Sequence, residues 1–387
     1  MTTDLFGKPL AGSPQYTLTL QQKRQATLLY HWLSMDYLQE LLAMVQRLIA
    51  GVDVVVDEAT QQGRDRLMVS ERWGVRDTTA NWSTHVYPAL EAFRESTIRL
   101  IARRANESYS GTGAYQCARM ISEHSSMWMT VGEEERFKEE FQKVYRYARR
   151  IDSVCGSGGQ KRISDDMMSN SWERYSDIFP RLPLFRVRTD VEGESGKIPP
   201  RTGVYIAQDD PNTTLQFGWT GNTDGRLGKA ITFNALGLKA LAVLGRPALW
   251  RDDDKITVFV SDAFRRGIMT DYGMMSGPGD EDDPRKAPFI LTQNVYTQRP
   301  CKWYFVEMID GEYDDEAETV ESSAPAASSR RPNVPAGTPC PEAGWWFTPV
   351  KPDSRRYFKQ GETMPALSGD YGQTFWQWSP DQSTPTL

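Results

Sequence analysis

Apolar residues recur at three- and four-residue spacing along roughly the first 180 positions, which is the period of amphipathic α-helices. A capping box of Thr19 and Gln22 begins the first predicted helix, which ends near Gly51. A helix is also predicted over residues 54–73, whose β-branched start equally fits an extended segment, and further helices over 86–101 and 114–129.

The clearest apolar stripe follows Gly132 and predicts a helix over residues 133–151. Glu133 lies in its first turn, where negative charge suits the helix dipole. Ser164 is predicted to cap a last helix. Residues 18–180 are therefore expected to form a helical bundle or a repeat-like array.

Alternation of apolar and polar residues replaces the helical period after Pro180. Residues 203–207 and 215–220 predict a hairpin joined by a turn at Asp209 and Asp210. Other predicted elements of this half are helices over 233–244 and 263–272, and strands over 256–260 and 302–308. The predicted fold class is α+β, an N-terminal helical bundle followed by a smaller, mostly antiparallel sheet domain.

Residues 312–338 are acidic and then rich in Ser, Pro and Ala, which predicts a flexible insertion. The aromatic stretch over 340–378 follows, and we expect it to complete the sheet that ends at Met308. Deleting everything after Gly337 should then unfold the C-terminal half. The predicted organisation is an arm over 1–17, a helical domain over 18–180 and an α+β domain over 181–387.

Composition narrows the function classes for this chain of 387 residues. Its net charge of −6 gives no electrostatic case for nucleic-acid binding. We expect no secretory signal and no membrane span, hence a cytoplasmic protein without a membrane partner. The four cysteines are scattered without a C-x-x-C pair, which favours buried thiols over zinc or disulfides.

Candidate catalytic and ligand-binding motifs are weak. The glycine-rich segment 156–161 lacks phosphate-loop spacing and predicts a turn between helices. His31, His85 and His124 belong to no metal or His–carboxylate motif, although distance in sequence leaves a spatial cluster open. We therefore predict no catalytic residue, no metal and no cofactor.

Two acidic segments are the candidate partner-binding sites, with solvated loops as the simpler interpretation. Their acids have no calcium-loop spacing. The candidate residues are Asp280, Glu281, Asp282, Asp283, Asp314, Asp315 and Glu316.

A second set of residues forms aromatic and cysteine motifs with a predicted structural role. Adjacent strand residues face opposite ways, so one of Trp345 and Trp346 should be buried and the other exposed or at an interface. The full set is Cys301, Trp303, Cys340, Gly344, Trp345, Trp346, Arg355, Arg356 and Tyr357.

Three segments of the second half of the chain resemble the immunity proteins of bacterial polymorphic-toxin systems, in particular the large families found beside type VI secretion and Rhs-type toxins. They read GVYIAQDDP from Gly203, PCKWYFVE from Pro300, and CPEAGWWFTP from Cys340 with SRRYF from Ser354. The resemblance covers residues 200–378. It implies a cytosolic, non-enzymatic antitoxin that binds the C-terminal domain of a cognate toxin, with no shared catalytic residues.

Two other functions stay open at this point. One is an enzyme, such as a hydrolase, that reverses the modification made by the toxin, and it would protect in catalytic amounts. The other is a helical scaffold or adaptor unrelated to toxins, which would use the surface of the bundle. A toxin gene directly beside this one would favour immunity.

Overall fold

Helices dominate the first half of the chain and strands are concentrated in the second. A computed structural model describes residues 16–65, 77–156, 159–208, 210, 212–314, 334–348, 354–366 and 375–379. The helices are α1 Leu20–Trp32, α2 Met35–Gln61, α3 Thr79–His85, α4 Tyr87–Arg104, α5 Ala114–Glu123, α6 Val131–Cys155, α7 Asp165–Trp172, α8 Ala235–Leu249, α9 Asp253–Arg265 and α10 Ala287–Asn294. The strands are β1 Pro183–Glu194, β2 Gly203–Ala207, β3 Gln216–Gly218, β4 Ala230–Phe233, β5 Tyr296–Arg299, β6 Lys302–Tyr313, β7 Val334–Pro335, β8 Gly344–Phe347, β9 Arg356–Phe358 and β10 Phe375–Trp378. The predicted α+β class is confirmed.

The predicted first helix is two helices. The capping box of α1 forms as expected, with Thr19 and Gln22 exchanging hydrogen bonds. The helix breaks after Trp32, and Ser34 caps α2. Its Oγ accepts a hydrogen bond from the backbone N–H of Tyr37 at 3.1 Å.

The predicted helix end at Gly51 is wrong, since α2 continues to Gln61. A glycine inside a helix costs about 1 kcal/mol relative to alanine. The apolar stripe continues on both sides of it, with Leu48 and Val52 buried, and this packing outweighs the local penalty. The helix predicted over 54–73 is therefore the end of α2, and residues 66–73 lie outside the described residues.

The main sheet is antiparallel, with strand order β1-β6-β2-β3. The predicted hairpin is its β2–β3 pair, with Val204 opposite Phe217. Asp210 supports the turn by accepting from the backbone N–H of Asn212 at 2.9 Å, whereas Asp209 lies outside the described residues.

One face of this sheet packs on the helices. Val204, Ile206 and Val306 share a core with residues of α1, α2, α4 and α6. The hydroxyl of Tyr30 donates to the Val306 carbonyl, and Gln25 accepts from the backbone N–H of Leu215 at 3.1 Å. The structure therefore corrects the boundary predicted at residue 180, because both sides of it share one core and belong to a compact unit that spans Met1–Asp315.

A second core joins α8, α9, α10 and the β4–β5 pair. The helix predicted over 233–244 corresponds to the regular part of α8, which breaks at Gly245 with φ 73°. The strand predicted over 256–260 is wrong. Ile256 and Val260 are buried but Val258 is 71 % exposed, which is the spacing of a helix face and not of a buried strand.

The helix predicted over 263–272 is also wrong, because only residues 263–265 of that range are helical, at the end of α9. Asp252 caps α9 by accepting from the backbone N–H of Lys255 at 3.0 Å, so the helix starts earlier than predicted. It ends where Gly267 adopts a left-handed φ of 64°, and the backbone N–H of Ile268 returns to the Ala263 carbonyl at 2.9 Å.

The C-terminal aromatic stretch forms a sheet of its own, with strand order β7-β10-β8-β9. The expectation that it completes the sheet of residues 302–308 is therefore wrong. Its strands belong to a compact unit that spans Glu316–Leu387. Among the described residues of this unit, the buried core contains Val334, Cys340, Trp346, Phe358, Met364 and Trp376.

The predicted insertion is shorter than residues 312–338. Strand β6 runs to Tyr313 and pairs there with Pro183, while β7 begins at Val334. Residues 315–333 lie outside the described residues, as do residues 1–15 of the predicted arm. Tyr16 is anchored, because its hydroxyl donates to the Ala207 carbonyl at 3.0 Å.

Candidate functional site

Residues Asp280–Asp282 form one turn of 3₁₀-helix, and Asp283 follows it as the C-cap. Asp280 pairs with Lys286 at 2.7 Å, and Asp283 pairs with Arg285 at 2.8 Å. The hydrogen bond from Arg285 holds the pKa of Asp283 at about 2. Two of the four charges are thus balanced within the loop.

The other two acids have no Lys or Arg partner in the described part of the chain. Glu281 accepts from the backbone N–H of Gly279 at 2.6 Å, and Asp282 accepts from Ser261 Oγ of α9 at 2.6 Å. The negative charge that this loop can present to a partner is therefore that of Glu281 and Asp282.

The second acidic segment, residues 314–316, is not confirmed as an exposed partner-binding site. Asp314 is 6 % exposed and forms an ion pair with Lys23 of α1, so its carboxylate is occupied inside the fold. We correct its assignment to partner binding accordingly. Asp315 and Glu316 lie outside the described residues.

Asp282 lies on the rim of a cleft between α8 and α9 with a volume of about 970 Å³. Val243 of α8 and Val258 of α9 line it and are 64 % and 71 % exposed. Leu244 and Phe259, half-buried, lie beside them. The opposite faces of both helices fill the second core, so these valines are left for solvent or a partner.

The rim of this cleft carries both signs of charge. Its members are Lys239, Asp254, Lys255, Asp262, Arg265, Arg266 and Asp282. An apolar floor inside a charged rim is the usual anatomy of a protein–protein interface. The sequence analysis did not predict this cleft, because it assigned residues 256–260 to a buried strand. A helical assignment of the same residues would have placed Val258 on the outer face, as an exposed apolar side chain.

A smaller apolar groove of about 380 Å³ separates α2 from α6. Leu48 and Val52 face Phe137 and Val144 across it, with Arg47, Arg136 and Glu140 at its edges. It deepens at Gly51, where a Cβ atom would have no neighbour within 4 Å. The side chains that line it are largely buried, so it offers less contact area than the α8–α9 cleft.

Two of the three histidines meet in space. The rings of His85 and His124 stack at 4.7 Å between centroids and border a cavity with Asp77 and Glu123. His31 packs instead against Tyr37 and other aromatic rings. In the part of the chain that the structure describes, no group of three His, Cys, Asp or Glu side chains is arranged to hold a metal ion.

The motif residues of the first unit are structural in position. Trp303 is buried in β6, and its Nε1 donates to Ser195 Oγ at 3.1 Å. The same hydroxyl oxygen accepts from the backbone N–H of Cys301 at 3.1 Å. Cys301 is half-buried, and its Sγ lies 3.9 Å from the same Ser195 Oγ.

The motif residues of the second unit pack on both faces of its sheet. Trp346 is buried, and Cys340 is a buried free thiol. Trp345 is half-exposed, as the alternation of a strand requires, and the ring of Tyr357 contacts it edge-on at 5.8 Å. The remaining motif contacts are Arg355 over the Trp345 ring, Arg356 with Glu362, and the buried Gly344 opposite Phe358.

Comparisons with protein-family models, with characterised proteins and with solved structures found no match to this chain. Within the described ranges, no helix combines the length and the apolar character needed to cross a bilayer.

Proposed function

We propose that this chain is a cytosolic immunity protein that neutralises a cognate toxin domain by tight one-to-one binding. The resemblance of the segments that begin at Gly203, Pro300 and Cys340 supports this proposal. Neutralisation by binding needs a surface that supplies a few well-desolvated anchors. It needs no catalytic group on the inhibitor.

The α8–α9 cleft is the observation that carries the proposal. Val243 and Val258 each expose more than half of their surface and line the same cleft. We assign the cleft to an apolar side chain of the toxin domain. The charged rim then accepts a toxin surface of mixed charge, and Asp282 provides a carboxylate for a basic side chain.

Binding kinetics with the toxin domain encoded beside this gene test the proposal. The wild-type chain should form a stable one-to-one complex. The double variant Val243→Asp with Val258→Asp should weaken affinity at least about 100-fold, because two charges would enter a desolvated contact. Its melting temperature should stay near that of wild type, since both side chains face solvent.

Val54→Asp is the matched control. Val54 is 56 % exposed on α2, which is distant in sequence from α8 and α9 and does not belong to their core. It should leave affinity unchanged. Equal affinities for wild type and the double variant would remove the cleft from the interface, and failure to bind any neighbouring toxin would remove the immunity function. Protection by substoichiometric amounts with turnover would favour an enzyme instead.

A further inference from the structure

The groove between α2 and α6 has an apolar floor that reaches solvent. Leu48, Met129 and Phe137 line it and expose 6 %, 7 % and 8 % of their surface, whereas Leu41 and Val45, on the same helix as Leu48, expose none. A floor recessed to this degree admits a thin occupant. A partner helix with its side chains is about 10–12 Å across and would rest on the rim instead.

Gly51 keeps this groove open. It is exposed in the middle of α2, and a Cβ atom there would meet no neighbour within 4 Å. Glycine is a poor helix former, so a larger residue at this position would favour the helix. Such a residue would also fill the space beside Leu48 and Val52. The glycine therefore preserves the groove at the expense of helix propensity.

The charged side chains of the groove leave one positive charge unbalanced. Four charged residues line it, and three of them already form ion pairs: Arg47 with Glu40 at 2.7 Å, Glu133 with Arg64 at 2.6 Å, and Glu140 with Lys143 at 2.6 Å. Arg136 is exposed, and no described carboxylate forms an ion pair with it. Both carboxylates on the groove are thus occupied, and the remaining charge favours an anionic group.

We propose that the α2–α6 groove binds a free aliphatic carboxylate, with its hydrocarbon chain on the apolar floor and its carboxylate at the Arg136 guanidinium. A guanidinium can donate two parallel hydrogen bonds to a carboxylate, and an exposed one is free to do so. The volume of about 380 Å³ lies at the lower end of the range for small-molecule sites. This site is separate from the α8–α9 cleft and does not depend on toxin binding.

Calorimetric titration of the whole chain with decanoate, decanol and decylammonium, each below its micellar concentration, tests the site. The three probes share one alkyl chain and differ in the charge of the head group. Decanoate should bind saturably at one site, about three- to tenfold more tightly than decanol, because the carboxylate adds a charge-assisted contact. Decylammonium should bind more weakly than decanol. Absence of saturable decanoate binding, or binding of either other probe as tightly as decanoate, would overturn the proposal.

Gly51→Leu and Val54→Leu are the matched variants for the hydrocarbon chain. Both enlarge a residue of α2, but Val54 is 56 % exposed and does not line the groove. Gly51→Leu should weaken binding of decanoate and decanol at least about 30-fold, because the alkyl chain loses its apolar contacts. Its melting temperature should rise by about 1–3 °C, since leucine is the better helix former. Val54→Leu should keep the wild-type affinity, and the same affinity in Gly51→Leu would refute the site.

Arg136→Gln and Arg47→Gln are the matched variants for the carboxylate. Both arginines lie on the rim and are exposed, but Arg47 is already paired with Glu40. Arg136→Gln should reduce decanoate affinity to that of decanol and leave decanol affinity unchanged, whereas Arg47→Gln should keep the preference for decanoate. If Gly51→Leu does not fold, this comparison still decides the question. An undiminished preference for decanoate in Arg136→Gln would overturn the assignment.

Discussion

Arg64 and Glu133 form a two-point ion pair, with Nη1 2.6 Å from Oε2 and Nη2 3.0 Å from Oε1. Glu133 is also the third residue of α6 and accepts from the backbone N–H of Thr130 at 2.7 Å. One carboxylate therefore completes the capping box of α6 and fixes the chain just after α2. The sequence predicts its place in the first turn of the helix but not its arginine partner.

Replacing Glu133 should reveal a pH-dependent contribution to stability. The hydrogen bond with Arg64 is the main reason that the pKa of Glu133 falls to about 2. A glutamate in the unfolded chain has a pKa of about 4.3, so the contribution is complete above that pH and is lost as pH falls towards 2. Glu133→Gln should lower the free energy of unfolding by about 1–3 kcal/mol at pH 7.

Urea unfolding at pH 7, 4 and 2.5 would measure this difference, which should shrink at the lower pH values. Glu135→Gln is the control, because Glu135 is exposed in the same turn and should change stability by less than about 0.5 kcal/mol. A constant difference between Glu133→Gln and wild type across this range would contradict the assignment.

Asp314→Asn should destabilise the first unit and not merely alter its surface. The buried carboxylate pairs with Lys23, so its loss leaves a partly buried ammonium without its partner, at a cost of about 2–4 kcal/mol. Asp310→Asn is the control, because Asp310 lies in β6 a few residues earlier and its side chain is exposed. If thermal melting shows equally small effects for both variants, Asp314 is an exposed acid and not a buried ion-pair partner.

Charge steering by the loop should depend on Glu281 and Asp282. In the proposed complex, Glu281→Gln with Asp282→Asn should slow association with a basic toxin by about two- to fivefold at low salt and leave dissociation nearly unchanged. Asp280→Asn with Lys286→Gln removes a balanced pair and should not change the rate. Stopped-flow or surface kinetics at two salt concentrations would measure both variants; equal rates for the two would reject steering by these acids.

A chain that ends at Asp315 should fold. The C-terminal strands have a buried core of their own, and the cores of the first unit include no described residue beyond Val306. Circular dichroism should show a cooperative melt within about 5 °C of the corresponding transition in the full chain. Loss of that transition would instead support the expectation of a core shared with the aromatic stretch.

Local patterns were sufficient where a residue's neighbours in sequence are also its partners in the fold. The capping box at Thr19, the apolar stripe of α6 and the hairpin of β2 and β3 are all short-range features. Each is visible from spacing alone, and together they establish the α+β class.

The tertiary structure decided the features that depend on distant contacts. The apolar residues Ile256, Val258 and Val260 alternate with other residues in sequence, which predicts a strand, but packing on the second core selected a helix that buries Ile256 and Val260 and exposes Val258. Asp314 looks like one more acid of an acidic run until Lys23, from the first helix, covers it. The buried, unpartnered Nη1 of Arg162 is likewise invisible in sequence, because burial and the absence of a partner within the described residues are properties of the assembled fold and not of any local pattern.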